Sequence, residues 1–143
     1  MITKVIVCNR DQAPKLFQGL SMARWVTITC TNHFPLVHKS SKNILSVKFN
    51  DHDFIGKITK KQVNKIKKFI CNSHKNNDAE FVLVVNCNAG RSRSVAVGMW
   101  CKHILGLPVE VWHDDPEPRR SIMEMLGVPF SEFDNLDFET KKV

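Results

Sequence analysis

The segment Phe-Val-Leu-Val-Val-Asn-Cys-Asn-Ala-Gly-Arg-Ser-Arg-Ser, residues 81–94, carries the strongest structural signal in this chain. It begins with five consecutive apolar residues, a run typical of a central parallel strand that is buried on both faces. Small and polar residues follow, and an apolar segment then ends at Gly106, which suits a helix C-cap. We predict a strand over 80–86, a tight loop over 87–93 and a helix over Ser94–Leu105.

Strands and helices alternate along the rest of the chain. Thr59, followed three residues later by Gln62, forms a capping box that predicts the start of a lysine-rich helix. The other predicted strands are Val5–Cys8, Trp25–Cys30 and Ile44–Phe49. One further helix is predicted to begin at Asp11, and another covers Arg119–Leu126. The predicted loops are Thr31–Asn43 and Asn72–Asp78. This alternation predicts an α/β fold with a mostly parallel central sheet flanked by helices.

Length and composition indicate an ordinary globular protein. The 143 residues suit a single domain over 1–143, with an acidic tail from about Ser131. The chain is 43% apolar and 24% charged, which excludes a disordered protein. Its longest apolar run has five residues, whereas a membrane-spanning helix needs about 20. Lys4 interrupts the apolar segment that a signal peptide needs, so we expect no membrane span and a cytoplasmic location.

The positive charge is concentrated in the first two thirds of the chain. Residues 1–101 contain 16 Lys and Arg against 5 Asp and Glu, whereas residues 102–143 contain 5 against 9, so the formal net charge is +7. A basic body favours anionic partners such as phosphorylated substrates or nucleic acid. Simple solubility explains the same charge equally well.

The five cysteines, at positions 8, 30, 71, 87 and 101, form no Cys-x-x-Cys pair. Such a scattered, odd set is typical of reduced thiols in the cytosol, most of them small buried residues. The six histidines do not pair with cysteines at ligand spacing, so we predict no structural metal site. Cys71 and Cys101 are the candidates to trap an oxidised Cys87 as a disulfide.

Cys87 is the first residue of the predicted loop, directly after the predicted strand over 80–86. In open α/β sheets ligands bind outside the carboxyl ends of strands, and the start of the following helix offers backbone N–H groups and a positive dipole end to an anion. These donors and Arg93 favour the thiolate form of Cys87, which is a nucleophile for phosphorus. The alternative is a buried thiol in an ordinary strand–helix turn.

The residues after Cys87 have complementary roles in this prediction. The planar guanidinium of Arg93 can hold two phosphate oxygens, and Gly90 permits the turn that aims backbone N–H groups inward. Ser94 can donate a hydrogen bond to the sulfur and so make it a better leaving group. The predicted phosphate-binding residues are Asn88, Ala89, Gly90, Arg91, Ser92 and Arg93.

The run Cys87–Ser94 resembles the His-Cys-x5-Arg-Ser/Thr signature of cysteine-dependent protein tyrosine phosphatases, in particular the compact dual-specificity type and the small bacterial and phage tyrosine phosphatase-like proteins. The resemblance covers residues 44–105 in order and spacing, and it implies the fold of that family. It also implies a general acid on an upstream loop, for which Asp51 is our choice and Asp53 the reserve. Both aspartates also fit a solvated turn.

One residue departs from the signature, because Asn86 stands where the family has His. We expect the Asn86 amide to order the loop but, being uncharged, to stabilise the thiolate less than His does. Activity is then expected to be lower or to peak at higher pH. Arg91 either compensates electrostatically or, as we favour, points outward.

The leading hypothesis is therefore a phosphatase that hydrolyses phosphomonoesters, with phosphotyrosine or phosphoserine/threonine in proteins as substrate, and that needs no metal or cofactor. An RNA 5′-phosphatase or a lipid or small-molecule phosphatase on the same fold is the alternative. The sequence gives only weak support for a nucleic-acid substrate, because no aromatic residues lie among the lysines to stack on bases. A non-catalytic phosphate-binding module is a third interpretation. A rhodanese-type sulfurtransferase is a fourth, which the Arg-Ser ending and the upstream Asp disfavour.

Overall fold

Six strands form one sheet in the computed structural model, which describes residues 1–19, 23–29, 42–75, 79–131 and 139–140. The strands are β1 (Ile2–Asn9), β2 (Ala23–Thr29), β3 (Ile44–Lys48), β4 (Phe81–Cys87), β5 (Val109–Val111) and β6 (Glu139–Thr140). The helices in these ranges are α1 (Ala13–Gly19), α2 (Lys60–Lys75), α3 (Arg93–Leu105) and α4 (Arg120–Leu126). The predicted α/β class is confirmed.

The strands lie in the order β3-β2-β4-β1-β5-β6, and every pair between described residues is parallel. The first strand and the strand that ends in Cys87 are therefore central neighbours, with Asn9 paired to Cys87. This arrangement places the residues after β4 at the carboxyl edge of the sheet, beside the ends of β1 and β2.

Alternate residues of β4 belong to two separate apolar clusters, as the two-residue period of a strand requires. Leu83 and Val85 pack in the larger cluster with apolar residues of α2, α3 and α4. Val84 packs in the smaller cluster with Ala13 of α1 and with Trp25 of β2. The continuous apolar run of β4 thus reflects burial on both faces, as predicted.

Three helix ends have the capping residues that the sequence offers there. The backbone N–H of Gln62 donates to Thr59 Oγ1 at 3.2 Å, and the N–H of Thr59 donates to Gln62 Oε1 at 3.0 Å, which completes the capping box of α2. Gly106 and Gly127 end α3 and α4 in the left-handed conformation. Glycine adopts this conformation without the steric cost that a Cβ would bring.

Two helix boundaries differ from the prediction by two or more residues, and the starts of α3 and α4 differ by one. Helix α2 continues to Lys75, past the predicted turn at Asn72, because Ser73 is buried and His74 Nδ1 accepts a hydrogen bond from the Ile2 backbone N–H. Helix α1 begins at Ala13 rather than at Asp11. The side chain of Asn9 accepts the N–H groups of residues 11 and 12, which forms a turn before the helix.

Strands β5 and β6 have no counterpart in the sequence prediction. Three residues and two residues are too few for a periodic pattern, although Val109 and Val111 are buried beside β1. The predicted strand end at Cys30, most of the predicted loop Thr31–Asn43 and the end of the predicted turn near Asp78 lie outside the described residues. No helix in the described ranges is long and apolar enough to cross a membrane.

Candidate active site

A cavity of about 510 Å³ opens where β4 ends and α3 begins, at the carboxyl edge of the sheet. Five of its lining residues come from this junction, namely Cys87, Ala89, Arg91, Ser92 and Arg93. The other walls are Asp51, residues 117–120 and Phe130. The sheet therefore brings Cys87, Arg93 and Asp51 to one cavity, in the position where open α/β sheets bind ligands.

Cys87 is the last residue of β4, and its side chain is buried at the base of the cavity. Its Sγ lies 3.0 Å from Oγ of Ser94, which is fully buried in the first turn of α3. A hydroxyl at this distance can donate its proton to an ionised sulfur. The contact predicted between Ser94 and the thiol is thus present.

Arg93, the first residue of α3, is also buried although it carries a charge. Its Nη1 donates a hydrogen bond of 2.9 Å to the carbonyl of Phe49, two residues before Asp51. This bond fixes the guanidinium between the loop after β4 and the segment after β3. The side chain nevertheless lines the cavity, where an oxyanion can meet it.

The loop after β4 packs against the end of β1. Gly90 has a φ of +65°, and a Cβ at this position would lie 2.6 Å from the backbone N of Asn9. The carbonyl of Asn88 accepts a hydrogen bond from the Arg10 backbone N–H. Gly90 and Asn88 thus anchor the loop on β1, while the side of the loop that includes Ala89 lines the cavity.

Asp51 is held by the loop itself. Its Oδ1 accepts hydrogen bonds from Ser92 Oγ at 2.8 Å and from Arg119 Nε at 3.2 Å. Ser92 is the N-cap residue of α3, yet its hydroxyl bonds Asp51 instead of capping the helix. The loop after β3 and the phosphate loop predicted from the sequence are therefore linked directly.

Asp53 lies outside this cavity. Its carboxylate accepts hydrogen bonds from Ser121 Oγ at 2.6 Å and from Arg119 Nη1 at 3.4 Å. The Ser121 hydrogen bond lowers the pKa of Asp53, desolvation opposes it, and the charge of Arg119 lowers it further. Asp51 lines the Cys87 cavity and Asp53 does not, so the geometry favours Asp51 over the reserve candidate. His52 is a loop residue, whose Nδ1 accepts the backbone N–H of Phe54.

Two further predicted residues have partners on neighbouring segments. The buried Asn86 amide donates to Thr27 Oγ1 at 3.2 Å, which ties β4 to β2 immediately before the loop. The half-exposed guanidinium of Arg91 forms ion pairs with Asp115 and Glu117. Arg91 thus points outward, and two carboxylates balance its charge.

The sequence analysis missed the wall formed by residues 117–120 and by Phe130. Arg119 is the important member, because it contacts both candidate acids and its backbone N–H donates to Ser92 Oγ at 3.1 Å. One signal was present in the sequence. Arg119 and Arg120 form a basic pair within the acidic last third of the chain.

The remaining described cysteines are structural in character. Burial raises the pKa of Cys8 to about 12, with a further contribution from the charge of nearby Cys87. Burial also raises the pKa of Cys101, whose thiol neighbour is Cys71. In the sheet register Cys8 pairs with Asn86 rather than with Cys87, and the two cysteines belong to different apolar clusters. Within the described ranges no group of three or more His, Cys, Asp or Glu is arranged to hold a metal ion.

No protein-family model matches the sequence, and no curated protein matches it at a significant level. The functional assignment accordingly depends on the residues and geometry of the cavity.

Proposed function

We propose that this protein is a phosphatase that hydrolyses phosphomonoesters through a cysteinyl-phosphate intermediate. The observation that carries the proposal is the convergence of Cys87, Arg93 and Asp51 on one cavity at the end of a central parallel strand. These residues supply a nucleophile, a cation for the phosphoryl oxygens and a proton donor. Cys87 and Arg93 belong to one continuous segment, and Asp51 joins them only in the folded chain.

In the first step the Cys87 thiolate attacks phosphorus, and an S–P bond forms while the P–O bond to the leaving group breaks. Arg93 and backbone N–H groups of the loop hold the non-bridging oxygens, whose charge must be stabilised in the transition state. Asp51 gives its proton to the leaving oxygen, which departs as an alcohol or phenol.

In the second step a water molecule attacks the phosphorus of the cysteinyl-phosphate. Asp51, now ionised, accepts the proton of this water, and the S–P bond breaks to release inorganic phosphate. The Ser94 hydroxyl, 3.0 Å from the sulfur, stabilises the departing thiolate. The enzyme then returns to its starting state with no metal or other cofactor consumed.

The ion pair between Arg119 and Asp51 links the proposed phosphate site to the proposed proton donor. A phosphate dianion in the cavity offers Arg119 a second negative partner beside the carboxylate. Arg119 can therefore hold the substrate and Asp51 next to one another.

Phosphotyrosine and phosphoserine/threonine in proteins are the substrates we propose, and the cytoplasm is the proposed compartment because a reduced Cys87 is required. An RNA 5′-phosphatase or a lipid or small-molecule phosphatase remains the alternative on the same fold. Neither has a specific observation in its favour, because the four arginines that line the cavity suit any phosphorylated ligand and do not distinguish these substrates.

The test is hydrolysis of para-nitrophenyl phosphate by the purified chain in the presence of EDTA. We expect turnover that vanadate blocks and that Cys87→Ser abolishes, with Cys71→Ser as the matched cysteine control. Trapping of a phosphate label on Cys87 after acid quenching identifies the intermediate. Vanadate binding by a wild-type protein that never turns over substrate would instead indicate a phosphate-binding module.

A further inference from the structure

A second groove, of about 680 Å³, runs beside the Cys87 cavity between the loop after β3 and helix α4. Arg119 and Arg120 line both spaces and form the wall between them. Asp53 and Lys57 line the groove on the side of the loop, and Met125 lines it on the side of the helix. The two spaces are therefore adjacent, and a molecule with its phosphate near Cys87 can extend past these arginines into the groove.

Exposed apolar side chains lie on both elements that form this groove. Met125, which lines it, is 42% exposed, and Phe54 and Ile55, which are 84% and 72% exposed, belong to the loop after β3 that forms its other side. The ring of Phe54 packs edge-on against that of His52, which lines the groove. Ile58 and Ile122, which are buried, provide apolar lining. Exposed apolar side chains beside a cavity are typical of an interaction surface.

The groove also contains two cations that have no carboxylate partner in the described part of the chain. Among the residues described, neither Lys57 nor Arg120 forms an ion pair. The guanidinium of Arg120 instead stacks over the ring of Phe130 at 4.8 Å, which holds it at the junction of the two spaces. Asp53 is already paired with Arg119, so Glu124 is the one opposing carboxylate on this surface. The remaining charge complements an acidic ligand.

We propose that this groove binds the segment of a phosphorylated protein that adjoins its phosphorylated residue, and that it selects a large apolar side chain together with a carboxylate. The proposal rests on the proposed phosphatase function and names the substrate class. Extended peptide advances about 3.3 Å per residue, and the two spaces share Arg119 and Arg120, so we expect residues close to the phosphorylated one to enter the groove. Its aliphatic lining by Ile58, Ile122 and Met125 suits such side chains better than a ribose-phosphate backbone.

The test compares three phosphotyrosine peptides that differ only beside the phosphorylated residue, which is flanked by Leu and Asp, by Ser and Gly, or by Leu and Lys. We expect the Leu/Asp peptide to have a kcat/KM about ten-fold above that of the Ser/Gly peptide, the advantage expected when one apolar side chain is buried. Met125→Ser and Arg120→Gln should each lower the ratio of kcat/KM for this peptide to kcat/KM for para-nitrophenyl phosphate. Ile104→Ser, an exposed apolar residue at the end of α3, is the control and should leave this ratio unchanged.

Binding is measured in parallel on the Cys87→Ser protein by fluorescence anisotropy, with the same peptides carrying a non-hydrolysable phosphonate. If the protein hydrolyses para-nitrophenyl phosphate but has the same kcat/KM for all three peptides, the groove does not select the peptide. The proposed phosphatase function would still stand. If no substrate is turned over but the Leu/Asp peptide binds in a way that depends on Met125, the proposed catalysis is wrong and the proposed peptide binding by the groove is supported. Turnover of a 5′-phosphorylated RNA above that of every peptide, unaffected by Met125→Ser, would also overturn the groove proposal.

Discussion

The Nε of Arg119 lies 3.2 Å from Oδ1 of Asp51, a residue 68 positions earlier in the chain. Ser92 completes a triangle with them, because its hydroxyl donates to the same carboxylate oxygen and accepts the backbone N–H of Arg119. Three segments that share no local sequence signal thus meet at one carboxylate. We infer that Arg119 is a positioning residue, which holds Asp51 in the cavity that contains Cys87.

Replacing Arg119 with Gln should lower kcat on phenyl phosphate about ten-fold, because Asp51 loses the partner that fixes it. The loss should depend on the leaving group, because only a leaving group that needs a proton requires a well-placed acid. The rate on para-nitrophenyl phosphate should therefore fall much less. Lys4→Gln, which breaks an ion pair with Glu110 on the β-sheet, should change neither rate. A purely structural role for Arg119 would lower both rates equally.

Asp51→Asn and Asp53→Asn should differ sharply. On phosphotyrosine, whose leaving group needs a proton, Asp51→Asn should lower kcat by about 10²-fold or more, and Asp53→Asn by little. On para-nitrophenyl phosphate, whose leaving group is stable as an anion, the effect of Asp51→Asn should shrink. Steady-state kinetics on both substrates checks the assignment, and a larger loss in the Asp53 variant would transfer the role to that residue.

Gly90 should tolerate no side chain. The left-handed conformation alone costs a non-glycine residue about 1–2 kcal/mol, and at Gly90 a Cβ would also lie 2.6 Å from backbone atoms of β1. Gly106 has the same φ of +65° but open space around it, so Gly106→Ala separates the two effects. We expect both variants to lose stability in urea unfolding, and Gly90→Ala alone to lose most of its activity. Equal activity in the two variants would show that the loop does not depend on this close packing.

Thiol reactivity should distinguish Cys87 from its neighbours. The raised pKa values of Cys8, about 12, and of Cys101 keep both thiols protonated at neutral pH, and burial keeps them from reagents. A raised pKa means that the thiolate forms only as the pH approaches the folded-state value, so a change from pH 7 to pH 9 should leave Cys8 and Cys101 unlabelled. Iodoacetamide followed by peptide mass spectrometry should show early modification of Cys87, slowed by vanadate. Comparable labelling of Cys8 in the folded protein would contradict this account.

The parts of the fold that the sequence predicted correctly are those with local causes. The apolar run of β4, the capping box at Thr59 and the glycines at 106 and 127 each act over a few residues. The end of α2 and the strands β5 and β6 were missed because tertiary contacts determine them. The His74 contact with Ile2, for example, joins residues 72 positions apart.

The candidate site divides in the same way. Cys87, Gly90, Arg93 and Ser94 belong to one continuous segment, and their side-by-side placement follows from the strand–loop–helix pattern. Asp51 entered through the family resemblance, and the structure places it in the same cavity as Cys87. Arg119 lacked any pattern that links it to this loop, because its partners are distant in sequence and it follows a proline-rich turn.

The central position of β1 in the sheet has a consequence for synthesis of the chain. Ile2 pairs with Phe81 and Asn9 with Cys87, so the first strand has its main partner only after most of the chain has been translated. At about 5–20 residues per second, the interval is about 4–16 s. During this time apolar segments of the nascent chain stay without their native neighbours. Arrival of the strand that ends in Cys87 gives β1 this partner, but the core also needs residues of α3, β5 and α4, and residues 117–120 and Phe130 complete the cavity later still. A ribosome-bound fragment that stops before β4 should therefore remain unfolded.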